Sequence, residues 1–222
     1  MINFAKNIEG MEKEKIDKKE HILDIAEDVF SEFGYEGTST RFLANKAGVN
    51  MAMLNYYFGS KDGVLKAVMD RRITNLRQYL QEIKDKPISS TEKLMRAFEM
   101  YLNRITENKN FHRVIHREIS LNQRSELVEF ISENIYKNLN VLREIILEGI
   151  ADHSFRQVDV EMTVASILGL MYYLLNSPRV SGRLLNIDFQ DPDQFETTLK
   201  PRIREYFKDY LKAYLLTHET KA

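Results

Sequence analysis

Apolar residues recur along this chain at intervals of three and four almost from end to end, the period of a helix and not the alternation of a strand. Ile22, Ala26, Val29, Phe30 and Phe33 mark one face of a first helix. Asp17 and Glu20 are spaced as a capping box at its start, and Gly34 supplies the left-handed residue that ends it. Two short helices follow, roughly 39–47 and 51–58, each bounded by Gly or by a Ser, Thr or Asn cap. Ser60 caps a fourth helix that runs to about Lys84. Lys86-Pro87-Ile88-Ser89-Ser90 then breaks the pattern. Leu94, Phe98, Tyr101, Leu102 and Ile105 trace the next helix, and a short one spans about Phe111 to Ile119. After Ser125 a long helix carries Leu127, Ile131, Ile135, Leu139, Leu142 and Ile146. Val160, Val164, Ile167, Leu168, Met171 and Leu175 trace another. The stretch 176–194, with Pro178, Gly182 and Pro192, reads as a loop. Phe195, Leu199, Ile203, Phe207, Tyr210 and Tyr214 mark a last helix, with a late start or a kink at Pro201. The expectation is an all-α fold of about nine helices.

Composition narrows this further. The 9 Gly and 4 Pro among 222 residues are about half the average usage, too few turn residues for a sandwich or barrel. There is no Cys, which removes disulfides, thiolate metal sites and thiol nucleophiles. Residues 1–16 have no apolar stretch of a secretory signal and read as a flexible charged tail. The most apolar run, 164–175, is interrupted by Ser166 and Gly169 and falls short of the ~20 residues of a membrane span. A soluble, cytoplasmic protein with no membrane partner is expected. The organisation is then the tail 1–16, a compact unit 17–66 with its fourth helix continuing to about 84, and a larger helical unit over 67–222.

Charge is uneven along the chain. The whole sequence carries 32 Lys and Arg against 33 Asp and Glu, so a uniformly basic coat is excluded. Residues 1–36 hold five lysines against ten carboxylates, net −5. Residues 37–66 hold Arg41, Lys46, Lys61 and Lys66 against Asp62 alone, net +3. In this local patch two short helices are joined by a tight Ala47-Gly48-Val49 turn, the arrangement of a helix-turn-helix. Ala44 is small where the helices cross, and Val49 and Leu54 are apolar where the second packs on the first. Tyr56 and Tyr57 are adjacent on a helix of two turns, so at least one faces outward, where a phenol can reach phosphate. On composition alone, a solvated face with incidental charge explains the region equally well.

The run from Phe33-Gly34-Tyr35-Glu36-Gly37-Thr38-Ser39-Thr40-Arg41 through Leu43-Ala44, Ala47-Gly48-Val49 and Leu54-Asn55-Tyr56-Tyr57-Phe58 to Ser60-Lys61 resembles the DNA-binding domain of TetR-family transcriptional regulators. The likeness covers about Ile22 to Met69, a fifth of the chain. It implies an all-α homodimer that represses transcription until a small molecule binds the C-terminal domain. It also implies DNA contacts at Thr40 and Arg41, and a recognition helix over Asn50–Tyr57 with Asn50, Met51, Ala52 and Met53 exposed at its start. Tyr56 falls where the family places a DNA-contacting aromatic, and Lys61 where a lysine grips phosphate. Asn55 and Tyr57 depart from the family's usual Tyr and His. A bidentate Asn reads adenine, whereas Met51 and Met53 suit thymine methyls.

Other features carry less. His112 and His116 are spaced i, i+4, but they have no intervening Glu and no third ligand, so no metal is expected. His153 and His218 are isolated, and Asp191 and Asp193 read as a turn. No phosphate loop, nucleophile elbow or catalytic constellation is present, so neither enzyme activity nor a cofactor is expected. The aromatic and Met residues after position 90 read first as core. The resemblance makes some of them, with Phe98 and Tyr101 as candidates, the wall of a cavity for a small apolar or amphipathic effector. The resemblance also makes the last two long helices, with Tyr210 and Tyr214 facing outward, the candidate dimer interface, while on the residues alone they read equally well as completing the monomer core. The competing reading is an all-α dimer that binds a small molecule and keeps a vestigial helix-turn-helix. Retention of Arg41, Tyr56 and Lys61 together argues against it.

Overall fold

The structure, a computed structural model, describes residues 2–107, 109–189 and 191–216, with side chains from residue 16 onward except 109, 110 and 192. His218 lies outside the described residues. Among these residues every regular element is helical, and the one β-type contact is an isolated bridge between Phe155 and Leu216. The helices are α1 (Ile2–Phe33), α2 (Thr40–Lys46), α3 (Met51–Phe58), α4 (Lys61–Lys84), α5 (Ser90–Glu107), α6 (Lys109–Leu121), α7 (Ser125–Ala151), α8 (Val160–Asn176) and α9 (Pro178–Leu185). A composite α10 follows: α-helical over Pro192–Gln194, π-helical over Phe195–Leu199, α-helical over Lys200–Tyr210 and π-helical again over Leu211–Leu215.

Three departures from the sequence expectation have physical causes. The first helix is already helical upstream of Asp17, so the capping box does not start it and the charged stretch belongs to α1. The expected loop 176–194 contains α9. Pro178 sits at the first helical position, where its missing N–H costs nothing, and Asn186 closes the helix in the left-handed region at φ 57°. In α10, Pro201 falls just after a π turn in which Lys200 N–H reaches back to the Phe195 carbonyl, so the helix changes register there. The buried stripe runs Phe207, Leu211, Leu215, and Tyr210 and Tyr214 are half-buried beside it.

The chain divides into two compact units. The first is the sequence up to Thr74 together with Asn110–Asn134. Its core includes Ile22, Ala26, Phe30, Leu43, Leu54, Leu65 and Phe111, all but inaccessible to solvent. The second comprises Asn75–Lys109 and Ile135–Ala222, with a continuous core that runs from Leu94, Phe98 and Leu102 through Ile145 and Met171 to Phe195, Phe207 and Leu215. The single boundary drawn after residue 66 departs from this division. α6 and the start of α7 group with the N-terminal helices because Phe111, at the beginning of α6, lies beneath the Arg72 guanidinium of α4, 4.9 Å from its ring centre.

Candidate nucleic-acid interface

The helix-turn-helix is built from local chemistry. Thr38 is buried and its hydroxyl donates to the Gly34 carbonyl at 2.7 Å, which fixes the turn after α1. Ser39 is the N-cap of α2, its Oγ accepting from Phe42 N–H at 3.1 Å. Gly48, at φ 65°, makes the left-handed turn that sends the chain into α3. Ala44 and Leu54 are buried where the two helices meet. His21 of α1 reaches the Ala47 carbonyl at 3.2 Å and ties the end of α2 to the first helix. Ser60 starts α4, accepting from Gly63 N–H at 3.1 Å.

The outward face of α3 follows from its register. Leu54 is fully buried, so Met51 and Asn55, and Ala52 and Tyr56, face solvent as two pairs four residues apart. Tyr56 is 71% exposed, and Tyr57 is half-buried at its edge, ring centres 5.3 Å apart. Met53 is half-buried. On α2, Arg41 is exposed and Thr40 half-buried. Asn50 is exposed, but its Oδ1 accepts the Met53 N–H at 2.8 Å and caps α3. Bidentate adenine readout uses both the amide oxygen and the amide nitrogen; the cap turns the Asn50 oxygen toward the backbone, whereas Asn55 stands exposed.

Lys61 is half-buried, and its Nζ donates to the carbonyls of Tyr35 at 3.1 Å and Thr38 at 2.9 Å. The same ammonium lies 3.9 Å from the centre of the Tyr35 ring. Two of its three N–H bonds are therefore spent on the turn before α2. The Tyr35 hydroxyl donates to Asp62, and burial together with that carboxylate pushes the phenol up to about 12. Arg124, at the start of α7, meets the same group, a residue that no periodicity or motif distinguishes.

In the second unit Phe98 is buried and stacks on Phe207 with ring centres 3.6 Å apart, within the packed core. Tyr101 is half-buried at the margin of that core, with its hydroxyl deep enough for burial to push it up to about 12. Tyr210 and Tyr214 stack on each other at 5.2 Å, and Arg156 lies over Tyr214 at 4.6 Å. Burial lowers the basicity of half-buried His116. Among the described residues no three His, Cys, Asp or Glu side chains gather as metal ligands, and no helix is long and apolar enough to cross a membrane.

A short capped helix with an exposed polar and aromatic face, set behind a tight turn in an all-helical chain, defines a helix-turn-helix DNA-binding protein. The description "Bacterial regulatory proteins, tetR family" matches residues 22–68, and "Tetracyclin repressor-like, C-terminal domain" matches residues 87–176. The chain is 23% identical over 181 residues to "Probable HTH-type transcriptional regulator YttP" of Bacillus subtilis (strain 168), covering 80% of this chain and 86% of that one. It is 26% identical over 159 residues to the "Fatty acid metabolism regulator protein" of the same organism, covering 71% and 81%. The structure of FadR from Bacillus subtilis in complex with stearoyl-CoA superposes with a TM-score of 0.65 at 24% identity, covering 83% of this chain and 95% of that one. The chain belongs to the TetR family of bacterial transcriptional regulators.

Proposed function

We propose that this protein is a homodimeric repressor that reads a palindromic operator with α3 and is released from it by an amphipathic small molecule. The observation that carries the reading is the face of α3. Met51, Ala52, Asn55 and Tyr56 are all exposed on a helix whose opposite side, at Leu54, is sealed in the core. Large apolar and aromatic side chains are left in solvent there on a stable, capped helix, beside exposed Arg41 and Lys46. Arg41 and Tyr56 serve as phosphate contacts, and Asn55 with Met51 reads base edges. One such helix covers too little surface for tight, specific binding, so two copies act on half-sites about one helical turn apart.

The effector class follows from the second unit and its relatives. Its hydrophobic core runs from Leu94 to Leu215, with the Tyr101 hydroxyl as a polar point at its margin. A relative of similar length is a fatty acid metabolism regulator, and a structural neighbour was solved with stearoyl-CoA. A long-chain acyl compound, apolar along its tail and charged at its head, fits both observations. The test is selection of the full-length chain against a random duplex pool, followed by titration with stearoyl-CoA. A palindromic sequence is expected, with affinity weakened about 5–150-fold by the acyl compound, and operator DNA weakening acyl binding by the same factor. Failure to enrich any sequence would overturn the regulator reading. Stearoyl-CoA binding without DNA binding would favour the vestigial-domain alternative.

A further inference from the structure

We infer that Arg124, at the start of α7, is a positioning residue of the DNA-binding head, and that it holds the turn carrying the α2 cap from outside the helix-turn-helix. The inference rests on the DNA-binding reading above. Arg124 lies within the stretch 87–176 matched by the C-terminal family description, yet it belongs to the same compact unit as α1–α3.

Each nitrogen of its guanidinium meets a different carboxylate, from three different elements. Nη1 donates to Glu118 of α6 at 2.6 Å, Nη2 to Glu36 of the α1–α2 turn at 2.7 Å, and Nε lies 3.3 Å from Asp62 at the start of α4. The guanidinium carbon lies 3.6 Å from the centre of the Tyr35 ring. Glu118 is buried, with 5% of its side chain exposed, so it fixes the near end of the clamp and orients the fork. The far end lands on residues that set the geometry of the reading helices. Tyr35 bonds Asp62, Lys61 bonds the Tyr35 and Thr38 carbonyls, and Thr38 directly precedes the Ser39 cap of α2. Four residues from three segments thus share one arginine. A planar five-donor fork makes this arrangement and an ammonium does not. At its other end α6 is fastened by Phe111 beneath Arg72, so α6 is tied to the head through a cation at both ends.

The consequence is specific. Loss of Arg124 frees the turn at 35–38 without touching any residue of α2 or α3, and DNA affinity falls for every sequence alike. The test uses the full-length chain and measures amide hydrogen exchange together with affinity for the duplex recovered by wild-type selection. In Arg124→Ala, exchange at residues 35–38 and 61–63 should rise at least tenfold. Affinity should fall about fivefold, with sequence preference unchanged. Arg124→Lys, able to face one carboxylate at a time, should fall between wild type and Ala in both readouts. If Arg124→Ala does not fold, the double variant Glu36→Gln with Asp62→Asn removes the two head-side charges, keeps the Arg124–Glu118 pair and should shift both readouts in the same direction. Unchanged exchange at 35–38 would overturn the clamp whatever happens to DNA binding. Raised exchange with unchanged affinity would overturn its role in positioning. If the wild-type chain recovers no duplex, the regulator reading fails and the positioning role falls with it, while the exchange data still judge the clamp.

Discussion

Asn50 and Asn55, five positions apart on one short helix, divide two tasks that composition alone leaves merged. Asn50 spends its amide oxygen on the Met53 N–H, and Asn55 stands exposed on the face proposed to read bases. Asn50→Ser keeps a cap and is expected to leave both stability and base preference near wild type. Asn50→Ala should cost about 1 kcal/mol of stability, read by thermal unfolding. Asn55→Ala should leave unfolding unchanged but relax preference at one base pair by about 1–3 kcal/mol, read by competition among duplexes. A shift in preference with Asn50→Ser would reverse the assignment. That Ser or Asn caps bound the short helices was legible in the sequence because a cap bonds within three residues, although Asn50 itself read as a DNA contact. The brace at Lys61 was not, because its acceptors lie 23 and 26 residues away and only the fold brings them within reach.

Between elements, ion pairs link α1 to α4. Arg71 contacts Glu20, Asp24 and Glu27, and Arg72 pairs with Glu27. Burial alone would raise the Glu27 carboxyl, but the Arg72 hydrogen bond and the charges of Arg72 and Arg71 outweigh it and hold the group below its ordinary value of 4.5. A carboxyl depressed in the folded state stabilises above its unfolded pKa, and that contribution is lost as pH falls through the folded value. Glu27→Gln should therefore lower the melting temperature at neutral pH and flatten its decline between about pH 5 and 3. A variant that melts in parallel with wild type across that range would show that the pair contributes nothing. Elements with strong periodicity, such as α3, α4 and α8, were readable from the sequence. α9 was not, because its Pro and Gly read as breakers until Pro178 is seen at the first turn and Gly182 packed where a Cβ would come within 2.8 Å of the Ile187 carbonyl.

For the molecule as a whole, the family's two sequence segments and the two compact units do not coincide, because 110–134 groups with the head. No local pattern marks that regrouping, which depends on Phe111 and Arg124 finding partners far away in sequence. The proposed homodimer would be formed by what remains uncovered. Tyr172, Tyr173 and Tyr206 are exposed on α8 and α10, while Tyr210 and Tyr214 are stacked and half-buried. Tyr206→Glu should convert the dimer to a monomer in sedimentation and abolish binding to a palindrome. Tyr210→Glu should act first on stability, because its ring packs against the monomer's own core. A dimer that survives Tyr206→Glu intact would place the contact elsewhere.

The two π turns of α10 act as a vernier. Phe195, Leu199, Ile203, Phe207, Leu211 and Leu215 are all buried and each is four residues from the next. An α-helix advances about 100° per residue, so every four-residue step overshoots by about 40°, and five steps carry the stripe about 200° around the axis. Each π turn is in effect one inserted residue and takes back about 100°, so two cancel the drift and six side chains stay in line. Deleting Thr197 should leave the helix content of circular dichroism unchanged. The first π turn would become a regular α turn with Leu211 and Leu215 still in the core and a melting temperature near wild type, whereas deleting Glu205 from the α-helical stretch would rotate both leucines by about 100° and melt the protein at a markedly lower temperature.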